Sequence, residues 1–551
     1  MLTETTRPSL KVTVVVADGS PFEPSGNYAV QALREMGLNA RSGTPEVAFE
    51  SLEANGADRV LLVSERALGP LSSLDDFLAN AAGRGAFGLV EDSDPEGPLR
   101  IEPVVLYVDP TRLEPGLWGE CVRRVRGELC GDQGEADVLG ALRSALREAG
   151  VAVPGYVDVS RPPEEYSRSR SFLRDGLDSA LSSRAPFLPW DVFIKDPLAL
   201  ERWAINPTAI MEEVFDRGYP RTVFWETLLG AAPPPVWFAN TGQYKILAGS
   251  RVGDAADSVS TAGGPPPKVG SVDAVVQVVD LANLPPLLRA LGNMPQLKSI
   301  TVHGPQDAVG VLNRLRAHTM AHFAYVGAPK RALANGSAAF LHGGLDTVGS
   351  GAEILVFLSD QLANVNANVL GTPPHEQVVA NLLASPDHAA DLLGLFEDDP
   401  RRGLIFPPMP LGAPQQSPAV SGCEDVSRKV RGGVPGKFLS PLDTQVVPPA
   451  ATFMARREAL MTLTGVLRDV PAQRIECLAP TQVGALVANA SYAEGFYATM
   501  AQTLESARAQ SLAMETRTER ISSHLYPYAR QAVAILEELV RKHGRSMSVG
   551  V

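Results

Sequence analysis

The sequence predicts an α/β protein built as two successive layered units with a helical section behind them, and three features lead there. Short β-branched runs alternate with helical patterns through the first 150 residues or so, a stretch of small residues and prolines interrupts them, and the same alternation then restarts. The chain is long enough for this reading, since 551 residues at about 100–200 per domain hold roughly two to four domains.

The first unit opens with the β-branched run from Lys11 to Val16, closed by Asp18-Gly19-Ser20, and passes into a helical pattern from Tyr28 to Met36 that stops at Gly37. Arg59 to Val63 reads as a second buried strand, Leu74 to Ala82 as a helix, and Phe87 to Val90 and Pro103 to Val108 as two more strands. Alternation at this spacing implies a mainly parallel sheet. Helical patterns fill 114–149, and an irregular stretch at 150–190 carries a local excess of positive charge in Arg161, Arg168, Arg170 and Arg174. Residues 1–250 are therefore expected to form one α/β domain, closed by a Gly/Pro-rich linker at 251–270.

The second unit, 271–480, starts with a strand from Ala274 to Val279, a helix from Leu284 to Leu291 and a strand at Ile300 to Val302. A buried strand from Ile354 to Leu358, a helix from Ala389 to Phe396 and a strand from Gly403 to Phe406 follow, and then a long proline-rich loop at 407–449. From 481 to 551 the pattern reads as wholly helical, with Ala529, Ala532, Val533, Leu536 and Val540 at helical spacing behind Pro527. The two units also echo each other. VLLVSERALGPL, FGLVEDSD and VVLYVDPTRLEPG in the first run parallel to ILVFLSDQLANV, GLIFPPMP and AATFMARREAL in the second. Either a distant tandem duplication or the cadence common to α/β domains accounts for the echo.

Charge and composition exclude several classes of function. The 49 Lys and Arg against 62 Asp and Glu leave a net charge of −13, the wrong sign for a protein that gains affinity by neutralising phosphate backbones. No apolar run approaches the roughly 20 residues of a bilayer span, and the N-terminus MLTETTRPSLK has no apolar core of a secretory signal, so a cytoplasmic location is expected. Four cysteines fall at spacings that match no zinc or redox pattern. There is no G-x-S-x-G elbow and no P-loop, and the glycines from Gly343 to Gly351 precede a strand where a dinucleotide fingerprint must follow one. His318 and His322 stand four apart but lack the acidic companion of a zincin.

Several polar groups remain as candidates. Asp92 and Asp94 form a D-x-D turn directly after an apolar strand, where two carboxylates can hold a hard divalent cation that clamps a diphosphate; the same turn, capped by Pro95 and Gly97, also reads as a solvated loop. Glu65 and Asp360 each follow a buried strand, the place where open parallel sheets gather ligands, although a lone carboxylate there also serves as a turn former. Arg401 and Arg402 could grip a pyrophosphate by paired hydrogen bonds, or belong to a solvated charge run.

The order of segments resembles the rhamnan synthesis protein F family of bacterial surface-polysaccharide proteins, regarded as glycosyltransferases. The similarity is carried by DRVLLVSERALGPLSSLDDFL with FGLVEDS, by RAPFLPWDVFIKDP with Lys195 in the family's basic position, and by VDAVVQVVDLANLPPLLRALGNMP. NLLASPDHAADLLGLFEDDPRRGLIFPP and VPPAATFMARREAL complete it, so that the matches span residues 58–500 in order. The resemblance implies two Rossmann-like, GT-A-like α/β domains that pass a sugar from a nucleotide-sugar donor to a lipid-linked glycan acceptor. The protein would act at the inner face of the cell membrane, with Mn²⁺ or Mg²⁺ as the cofactor and other polysaccharide-assembly proteins as partners. On that basis Glu65 and Asp360 are the expected catalytic carboxylates, Lys195, Arg401 and Arg402 the substrate-binding residues, and Asp92 and Asp94 the metal ligands. The chain departs from the family where Ser64-Glu65 replaces Asn-Asp, where Ser359-Asp360-Gln361 replaces a His and a Lys, and where an acidic segment reads APTQVGALV. These departures leave a second expectation open, a non-catalytic scaffold of the same assembly machinery.

Overall fold

The computed structural model describes residues 10–54, 59–90, 104–129, 138–157, 177–202, 205–247, 270–306, 322–343, 351–361, 374–409, 446–449, 451–468, 470–476, 478, 480–512 and 515. It is a mixed α/β protein, as the sequence predicts. The first half supplies β1 (Leu10–Val15), β2 (Asn39–Gly43), β3 (Arg59–Ser64), β4 (Ala67–Leu68), β5 (Ala86–Val90), β6 (Val105–Val108), β7 (Gly155–Val157), β8 (Leu188–Pro189) and β9 (Tyr244–Leu247). The second supplies β10 (Val272–Gln277), β11 (Leu297–Gly304), β12 (His322–Gly327), β13 (Ile354–Ser359), β14 (Arg402–Phe406), β15 (Phe453–Arg456) and β16 (Tyr497–Thr503).

Two main sheets result. The first has the order β2-β1-β3-β6-β5-β7 and the second β12-β11-β10-β13-β15-β14-β16-β9, while β4 and β8 form a small antiparallel pair. The core of the second sheet, β11-β10-β13-β15-β14-β16, repeats the whole of the first. In both, the first strand lies between its two parallel partners, an antiparallel strand follows, and the last pair is again parallel. The strands that echo each other in sequence, β3 with β13, β5 with β14 and β6 with β15, occupy matching places. β12 and β9 are additions at the two edges of the second sheet.

The apolar patterning explains the layers. β1, β3 and β6 alternate their buried side chains between Val12, Val14, Leu61 and Val63 on one face and Val15, Val60, Leu62 and Leu106 on the other, so helices cover both. The helix Glu23–Glu35 takes the first face, with Ala29, Val30 and Leu33 buried. Pro45–Ala54, Leu117–Leu129 and Val138–Glu148 take the second through Phe49, Leu52, Val125 and Leu142. In the second sheet Leu284–Leu291 and Pro386–Asp398 cover Ala274, Val276, Ile300 and Val356 in the same manner.

Three expectations need correction. The section from 481 onward is not wholly helical: after the helix Pro480–Ala493 the chain forms β16, which pairs with β14 and β9. The division at 250 does not follow the sheets either, because β9 precedes it in sequence yet completes the second sheet beside β16. His322 begins strand β12, so it does not share a helical face with a residue four positions earlier. The two halves are joined around β9 by buried contacts. Trp225 stacks on Tyr497 with centroids 3.7 Å apart, and Asp399 accepts hydrogen bonds from Arg221 Nη1 at 3.1 Å and Trp225 Nε1 at 3.3 Å. No helix among the described residues is long and apolar enough to cross a membrane. The linker at 251–269, the arginines from Arg161 to Arg174, most of the loop at 407–449 and the helical pattern near the C-terminus lie outside the described residues.

Candidate functional site

In a parallel sheet the crevice for a ligand opens where chain connections leave neighbouring strands in opposite directions, beyond the strands' C-terminal ends. The first sheet has this point between β1 and β3, and the second between β10 and β13. Register makes the two rims comparable residue by residue, since Val15 pairs with Gly43 and Ser64, and Gln277 pairs with His303 and Ser359.

Both rims are tied by the same bonds. Val16 N–H donates to Gly43 O and Val278 N–H to His303 O, each at 3.0 Å. The serine ending each middle strand accepts from the amide two residues on, Arg66 N to Ser64 Oγ at 3.2 Å and Gln361 N to Ser359 Oγ at 3.1 Å. The acid after that serine reaches across the crevice, where Glu65 Oε2 accepts from Ala17 N–H at 2.8 Å and both Asp360 oxygens lie 3.0 Å from Val279 N. Asp360 also accepts from Asp280 N at 3.0 Å, Asn283 Nδ2 at 3.2 Å and Gln361 Nε2 at 3.1 Å. It is buried, which makes these bonds obligatory. Glu65 and Asp360 thus stand at the rims where the sequence puts them, and each holds the loop that follows the first strand.

The rims differ in the residues between these bonds. Val15 packs with Ala48, Phe49 and Leu52, and Gly43 leaves no room for a side chain, because a Cβ there would meet Val47 Cγ1 at 2.8 Å. In the second rim the same places hold Gln277 and His303, and the layer facing them is the segment Ala338–Gly343. Ala339 N–H donates to Gln277 Oε1 at 3.1 Å, whereas Gln277 Nε2 and both ring nitrogens of His303 have no hydrogen-bond partner. Burial pushes the His303 imidazole down to about 4, so it is neutral near pH 7. No motif marks these two residues in the sequence; the available signal is a polar side chain near the C-terminal end of an otherwise apolar strand.

The other candidates are not gathered here. Arg401 pairs with Glu226, and Arg402 is buried, donating from Nε to Thr499 Oγ1 at 3.0 Å and from Nη1 to Leu395 O. Both lie at the start of β14, level with the beginning of β13, and so roughly 15–20 Å along the strands from Asp360. Lys195 ends the short helix Asp191–Ile194 and pairs with Asp191 at 3.4 Å, while its carbonyl accepts from Asn240 Nδ2 at 2.9 Å. Asp92 and Asp94 lie outside the described residues, and among the described residues no group of three His, Cys, Asp or Glu is placed to hold a metal ion. No protein-family model matches the chain, and no curated protein matches it.

Proposed function

We propose that this chain is a glycosyltransferase-like protein of bacterial cell-surface polysaccharide assembly, with a nucleotide-sugar donor bound at the rim between β10 and β13 and a lipid-linked glycan as acceptor. One observation supports this reading above the others: within a frame that the fold repeats, the second rim replaces Val15 and Gly43 by Gln277 and His303, which remain short of partners. Buried polar groups without partners are costly, and sites that bind ligands are where such groups are tolerated. A thermal-shift panel of nucleotide sugars, with and without Mn²⁺, tests the reading. A donor that binds the folded state raises the midpoint by mass action, about 2.7 kcal/mol of stabilisation at a concentration 100 times its Kd. No shift with any donor at millimolar concentration would overturn it.

The second reading, a non-catalytic scaffold for polysaccharide-assembly partners, has an observation of its own. Glu65 and Asp360, the carboxylates placed at the rims, are both occupied by amides of their own chain. A general base needs an oxygen within reach of the acceptor hydroxyl. If donors bind but are not consumed when a glycan acceptor is supplied, this reading replaces the first.

A further inference from the structure

Gln277 and His303 are in register on adjacent parallel strands, so their side chains leave the sheet on one face, toward Ala338–Gly343. They are 1% and 3% exposed. The bond from Ala339 N–H uses Gln277 Oε1 and leaves its NH₂ group as a donor without a partner. Neutral imidazole carries one N–H donor and one acceptor nitrogen, and neither is paired in His303. The pair therefore offers donors beside one acceptor, with no formal charge. A diphosphate calls for cations or a convergence of N–H groups, so the uncharged end of a nucleotide suits these residues better.

We infer, resting on the donor-binding reading above, that Gln277 and His303 recognise the nucleobase of the donor through an edge that carries a hydrogen-bond acceptor beside a donor. The base's acceptor takes the Gln277 Nε2–H, and its N–H donates to the free nitrogen of His303. The first rim, with Val15 and Gly43 in these places, has no such groups and binds no base.

Calorimetric titration of the full chain with UDP, dTDP, CDP, ADP and GDP tests this, using the wild type, His303→Leu and His303→Gln. At least one diphosphate is expected to bind the wild type, and His303→Leu is expected to weaken it tenfold or more. The thermal midpoint of ligand-free His303→Leu should hold or rise, because removing the ring orphans no partner. His303→Gln, which keeps a donor and an acceptor, should recover part of the affinity. Gln277→Leu should weaken binding as well, with a lower midpoint, since Ala339 N–H loses its acceptor. Equal affinity in the wild type and His303→Leu overturns the inference while the donor-binding reading stands. A fall in midpoint without a fall in affinity assigns the imidazole to packing and overturns it too. Absence of binding by every nucleotide overturns both.

Discussion

At the first rim Ala17 N–H bonds to Glu65, and at the second Val279 N–H bonds to Asp360. Beside these matched bonds stand Val15 and Gly43 in one rim, Gln277 and His303 in the other. The comparison separates two kinds of polar residue that look alike in a sequence. A carboxylate that makes the same bond in both rims belongs to the frame, since it closes the loop after the first strand whatever the rim holds. A polar pair found in one rim alone, buried and short of partners, is what the frame carries.

The largest effect expected from breaking this frame is at Asp360. Its carboxylate takes hydrogen bonds from two backbone amides and two side chains in a buried setting. Asp360→Ala leaves those donors unpaired and should cost about 4 kcal/mol in urea unfolding. A loss below about 1 kcal/mol would contradict a structural role and make Asp360 a catalytic candidate again.

Exchanging residues between the rims comes next. Val15 faces Ala48, Phe49 and Leu52 with no polar group to meet. Val15→Gln places in the first rim the residue that the second carries, and there the amide has neither the Ala339 amide nor a ligand to satisfy it. Denaturation should show a loss of about 2–3 kcal/mol. If the substitution is neutral, the rims are more alike than their packing indicates.

Much of the frame is legible in the sequence because it is local. β1, β3, β5 and β13 are apolar runs closed by polar turns, and the helix Leu284–Leu291 has the bounds that its periodicity predicts. β9 and β16 are not legible. YKIL is only four residues long, and YATMAQT is rich in alanine behind a helix, so neither has an alternation strong enough to outweigh its surroundings. Both become strands by adding to an edge that other segments build. The candidate site divides in the same way. Glu65 and Asp360 follow visible strands, whereas the pairing of Gln277 with His303 comes from parallel register between distant segments, which no spacing along the chain reveals. Arg401 and Arg402 are adjacent in what reads as a clamp, yet packing between the halves takes one to Glu226 and the other into the sheet.

Acid provides a third contrast between the rims. Burial holds the His303 imidazole at about 4 in the folded protein, against about 6.5 for a free histidine. Between these values the unfolded chain takes up a proton that the folded one refuses, so the stability present above pH 6.5 is lost as pH falls toward 4. Relative to His303→Leu, the wild type should lose about 2 kcal/mol on going from pH 7 to pH 5, measured by urea unfolding of both proteins at each pH. Parallel pH curves for the two proteins would show that the ring reaches water.

The smallest effect belongs to Glu65, and it sharpens the comparison most directly. Glu65 occupies the position of Asp360 but bonds across the crevice to one amide, Ala17 N–H, at a half-buried site where water can replace it. Glu65→Ala should therefore cost about 1 kcal/mol, well below Asp360→Ala, although the two side chains close matching loops. The difference follows from burial and from the number of donors that each acid satisfies. Amide hydrogen exchange gives the finer reading, because Glu65→Ala should raise exchange at Ala17 and leave Val279 unchanged, and Asp360→Ala should do the converse. Equal losses of stability, or faster exchange at both loops in either variant, would mean that the two rims open together rather than each by its own bond.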